Sequence, residues 1–61
     1  MNTNLFYENF INALRAAKVR AVMMRRAWLV FERADGLWGI LPLEKAETLD
    51  WLVGDMVTVY P

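Results

Sequence analysis

The sequence predicts an α+β fold: an N-terminal helix, a β-hairpin, a second helix and a C-terminal strand, forming a small three-stranded sheet with the helices on one face. Three observations carry this reading. Apolar residues recur at three- and four-residue spacing up to about Met24. The pattern then changes to short runs of aromatic and branched residues on either side of Asp35-Gly36. Beyond Pro42 comes a further helical stretch, closed by Gly54 and followed by one more alternating run.

The first helix is expected to begin at Thr3 or Asn4, whose side chain can accept from a free amide of the first turn, with Glu8 close to its positive end. Phe6, Phe10, Leu14 and Ala17 make one apolar stripe, with Ala13 and Ala21 beside it. Arg15, Lys18, Arg25 and Arg26 project from a neighbouring polar sector if the helix runs to about Met24. "VRAVMM" also alternates and contains two β-branched valines, so a strand is the competing expectation there.

"AWLVFER" and "LWGILPL" are the hairpin strands, and Asp35-Gly36 between them supplies the positive φ of a tight turn. Trp28 and Trp38 lie on opposite sides of that turn, placed to pair across the strands or to show one ring to a partner. Pro42 ends the second strand and suits the start of a helix, because it has no amide hydrogen to leave unpaired. "LEKAETLDWLVG" is the second helix, with Leu43, Ala46 and Leu49 or Leu52 on its apolar face and Gly54 as its stop. "MVTVY" is the last strand, with Val57 and Val59 on one side and Met56, Thr58 and Tyr60 on the other.

Residues 1–61 are expected to form one small domain, and a core of that size is marginal when it stands alone. Without cysteine or histidine the chain has neither a disulfide nor a zinc site to reinforce it. Its 57% hydrophobic content, with three Trp, three Phe and four Met, exceeds what a small monomer hides. A homodimer or an obligate partner is therefore expected, and the exposed edge of a small sheet offers a place for a second copy. The absence of cysteine, of a basic leader before an apolar stretch and of any long apolar run leads to the expectation of a cytoplasmic protein that does not enter a membrane.

The same composition argues against an enzyme. Histidine, cysteine and serine are all missing, and Thr3, Thr48 and Thr58 have no base beside them. Glu44, Glu47 and Asp50 could group to hold a cation, but acidic residues early in a helix are what its dipole favours. Gly36, Gly39 and Gly54 match no phosphate-binding loop, so no cofactor and no metal are expected.

What remains is surface. Net charge is zero but uneven: from residue 12 to 33 six cations face one carboxylate, and from residue 34 to 61 one cation faces five. The reading is a non-enzymatic interaction protein that binds and modulates or inhibits a larger macromolecule. Compact proteins without cofactors are common among accessory genes of phages and mobile elements, and the chain fits that type. Its expected partner-binding residues are Arg15, Lys18, Arg25, Arg26 and Trp38, and a protein is the expected partner. The alternative is a small dimeric DNA- or RNA-binding regulator, in which the cations between residues 15 and 26 meet phosphates and Trp28 stacks on a base.

Overall fold

The structure, a computed structural model, describes residues 6–49, 52 and 54–61. In chain order it contains β1 (Phe6–Tyr7), α1 (Phe10–Met24), β2 (Trp28–Glu32), β3 (Trp38–Pro42), α2 (Leu43–Ala46) and β4 (Met56–Val59). The strands form one antiparallel sheet in the order β1-β3-β2-β4. The α+β class is the expected one. The strand count is not: the sheet has four strands rather than three.

The extra strand comes from residues that the stripe reading placed in the first helix. Phe6 and Tyr7 pair with Gly39 and Trp38 of β3, and the helix begins only at Phe10. Its cap is Asn9 in extended conformation, whose Oδ1 accepts from the Asn12 amide at 2.9 Å. The expected caps, Thr3 and Asn4, lie outside the described residues, but residues 6–9 are not helical. Phe6 and Phe10 are four apart whether or not a helix joins them, and two residues are too few for strand alternation to show.

Once started, α1 runs to Met24 as expected, and "VRAVMM" is helical rather than extended. Ala13, Ala17 and Ala21, four apart, are wholly buried against Trp28, Val30, Ile40 and Val59 of the sheet. Alanine carries no bulk beyond Cβ, so the helix backbone comes close to the strands and the sheet residues supply the volume. Val30 and Ile40 are the largest side chains removed completely from water, each worth about 1.5–3 kcal/mol. Tyr7, Phe10, Leu14 and Trp38 close the margin of this core. The helix ends without glycine: Arg25 itself takes the left-handed conformation (φ 55°, ψ 44°), and its amide donates to the Ala21 carbonyl.

The hairpin closes as the Asp35-Gly36 pair implied. Gly36 N–H donates to the Arg33 carbonyl at 3.1 Å, Gly36 has φ 86°, and the Arg33 amide donates to the Leu37 carbonyl at 2.7 Å. This is a type I turn followed by a left-handed glycine, the usual three-residue hairpin loop. Asp35 Oδ1 accepts from the Leu37 amide and steadies it. The register sets Trp28 opposite Pro42 and Trp38 opposite Glu32, so the two tryptophans sit at opposite ends of the hairpin and do not pair.

Leu29 and Phe31 alternate with the residues under α1 and therefore point to the far side of the sheet, where both are buried. The Phe31 ring lies across Gly39: a Cβ at that position would come within 2.9 Å of ring carbon Cε1. The second helix is a single turn. Leu43 N–H extends the ladder to the Ala27 carbonyl, Pro42 caps the turn, and Ala46 is buried outside the α1 core. Thr48 then ends it, its amide and Oγ1 both donating to the Lys45 carbonyl while the Leu49 amide donates to Ala46. The expected helix through Gly54 is thus cut to residues 43–46; Asp50, Trp51 and Val53 lie outside the described residues. β4 pairs with β2 and places Val57 and Val59 on the α1 side.

Candidate interaction surface

With Ala13, Ala17 and Ala21 turned inward, a rotation of about 100° per residue carries Ile11, Arg15, Val19 and Val22 to the opposite side of α1 and Lys18 to the flank of that face. The exposures agree: Ile11, Val19, Val22 and Met23 are 53, 56, 53 and 77% exposed. Four large apolar side chains thus stand in water among Arg15 and Lys18, on a helix that carries no acidic residue. No side chain of the described residues covers them.

The five residues expected to bind a partner fall into two groups. Arg15 and Lys18 are on this outer face. Lys18 is steadied there, its Nζ donating to the Tyr60 carbonyl at 2.8 Å. Arg25 caps the same helix and is exposed, and neither it nor Arg15 meets a carboxylate among the described residues. Arg26 is exposed but engaged in an ion pair with Glu44 of α2. That pair forms one wall of a cleft of about 390 Å³ between Arg25, Ala27, Leu43 and Glu47. At the surface such a pair contributes about 0–1 kcal/mol, so Arg26 could exchange Glu44 for another carboxylate at small cost.

Trp38 is not brought to this group. It packs edge-on against Phe10 with ring centroids 5.0 Å apart, at the opposite end of α1 from Arg25 and Arg26. Fourteen residue steps at 1.5 Å each separate those ends by about 21 Å. Trp38 is half-buried and belongs to the margin of the core.

Two further cations are turned inward upon aromatic rings. Arg20 lies 5.6 Å from the ring centre of Trp28, which is 4% exposed and so has no face open to a base. Arg33 stacks 3.9 Å over Phe6 and also reaches Asp35 at 3.0 Å. The stacking ring and one of the cations invoked for nucleic acid are therefore taken up by the fold. At the hairpin end a second cleft, of about 490 Å³, is lined by Phe31, Glu32, Arg33, Asp35, Leu52 and Asp55. Its carboxylates form no group able to hold a metal ion among the described residues. Glu44 and Glu47 gather no further ligand among the described residues, and Asp50, grouped with them in the sequence, lies outside those residues.

From Phe10 on, the expected stripe of Phe10, Leu14 and Ala17 with Ala13 and Ala21 beside it is the face that packs on the sheet. The exposed quartet Ile11, Val19, Val22 and Met23 was not singled out, although an inward face that is fixed also fixes the outward one. Among the described residues no helix is long and apolar enough to cross a membrane. No family model, curated protein or solved structure matches the chain.

Proposed function

We propose that the chain is a non-enzymatic interaction protein that binds and modulates a larger protein through the outer face of α1. The observation that carries this reading is the exposed quartet Ile11, Val19, Val22 and Met23 interleaved with Arg15 and Lys18. Aliphatic side chains gain nothing in water, and burying them in a partner removes about 25 cal/mol per Å² of unfavourable contact. The cations select what surrounds that contact. With Arg25 at the helix end and no acid on the helix, the matching partner presents an apolar strip bordered by carboxylates.

A DNA- or RNA-binding regulator is the second reading, favoured by Arg15 and Arg25, which meet no carboxylate among the described residues. Phosphate contacts make no use of aliphatic side chains, so the exposed Ile11, Val19, Val22 and Met23 would have no task in it. The two readings separate in one experiment. The tagged chain is captured from its native cells with and without nuclease, alongside Val19→Gln/Val22→Gln and Arg15→Glu/Arg25→Glu. The purified partner is then titrated with each variant. A protein partner survives nuclease and is lost by both variants; a nucleic-acid partner vanishes with nuclease and ignores the glutamines. Retention of a protein partner by the glutamine variant would remove the α1 face from the account.

A further inference from the structure

We infer that the free edge of β4 is a self-association site, at which two copies of the chain pair β4 to β4 antiparallel about a two-fold axis at Thr58. This surface shares Lys18 with the outer face of α1, but the inference does not rest on the reading of that face.

The two edges of the sheet are built differently. On one side β1 covers only Trp38 and Gly39, and the rest of that rim ends at Pro42, which has no amide to donate and turns directly into α2. A very short strand and a proline are both means of discouraging pairing at an edge. β4 has neither. It offers four consecutive uncharged residues, Met56 to Val59, whose outer backbone groups no strand takes up among the described residues. Apolar surface also continues over the edge on both sides of the sheet. Val57, opposite Val30, is exposed on the α1 side, and Met56, opposite Phe31, is exposed on the other. Tyr60 is exposed just beyond.

Chemistry selects both the occupant and the register. Partners in an antiparallel ladder point to the same side of the sheet, so a two-fold axis must fall on a residue rather than between two. Centred on Val57, the pairing would set Asp55 against the buried Val59 of the other copy. Centred on Thr58, it sets Val57 against Val59 and Met56 against Tyr60, each twice, and leaves Asp55 at the rim opposite Pro61. There Asp55 arrives beside the Tyr60 carbonyl that already holds the Lys18 ammonium. A carboxylate with no ion-pair partner among the described residues thus meets a cation, and symmetry repeats the contact. A dimer formed through α1 instead would bring Arg15 and Lys18 against their own copies with no acid between them. The second copy therefore belongs on β4.

Sedimentation equilibrium of the purified chain over a wide concentration range tests this. The wild type is expected to approach twice its 7.1 kDa mass and to fall toward it on dilution. Val57→Lys, and the single reversals Lys18→Glu and Asp55→Lys, should each raise the dissociation constant about ten-fold or more. Combining Lys18→Glu with Asp55→Lys should recover most of that loss. Circular dichroism verifies that each variant stays folded, including Lys18→Glu, which gives up the bond to the Tyr60 carbonyl. A 7.1 kDa species at every concentration, or an oligomer indifferent to all these substitutions, would overturn the inference.

Discussion

The two faces of α1 are made of opposite materials. Its inward face carries alanine at 13, 17 and 21, with Phe10 and Leu14 at its N-terminal margin, and its outward face carries isoleucine, two valines and a methionine among cations. Hydrophobicity alone does not account for the burial of three alanines while four larger apolar side chains stay exposed. What decides is the space available. The sheet beneath is already filled by Trp28, Val30, Ile40 and Val59, so only a helix face without bulk can come close enough to cover them. The larger side chains are left outside because the fold has no room for them, and their exposure is what the proposed partner site rests on.

Substitutions should reproduce this contrast as a graded series in urea denaturation. The largest loss is expected inside: Ile40→Ala empties a fully buried site and should cost about 2–5 kcal/mol. Ala17→Leu tests the spacing itself. Leucine is more hydrophobic and a comparable helix former, yet it must push the helix off the strands, and a loss of about 1–3 kcal/mol is expected. A gain from Ala17→Leu would show that the alanine face is loosely packed and that the contrast is false.

Arg25→Gly moves in the other direction. An arginine in left-handed backbone strains the end of α1 by about 1–2 kcal/mol, so glycine should stabilise the fold while removing one cation from the proposed partner surface. Stability and binding would then shift in opposite senses, which a residue important only for folding cannot do. The smallest effect is expected outside: Val22→Ala should change stability by no more than about 0.5 kcal/mol.

The same contrast explains what could be read from the sequence. The hairpin was legible because Asp35-Gly36 stands between two branched, aromatic runs, but its register was not, and the cross-strand pairing offered for Trp28 and Trp38 does not form. The span of α1 toward Met24 was legible from its spacing. Its beginning was not, because Phe6 and Phe10 keep a helical interval across a strand, a bend and the Asn9 cap. β1 had a less direct signal in Gly39. A glycine inside a strand marks close approach, and here Phe31 lies over it with Phe6 opposite on the other side. The length of α2 was misread because one helical turn and a long helix share the same opening, Pro42-Leu43-Glu44, and the local bonds from Thr48 to the Lys45 carbonyl that end it are ones a threonine within a longer helix can also make. Of the candidate site, Arg15, Lys18 and Arg25 were legible as exposed cations. Trp38 was misplaced because composition cannot tell a core aromatic ring from one offered to a partner.

The most direct test replaces Val19, Val22 and Met23 together by glutamine, a better helix former than valine and one that water hydrates well. Thermal unfolding and partner capture are then measured on the same preparation. Unfolding at or above the wild-type temperature together with loss of the captured protein is the predicted result. A marked fall in unfolding temperature would mean that these side chains hold the fold together, and the contrast between the two faces of α1 would be refuted.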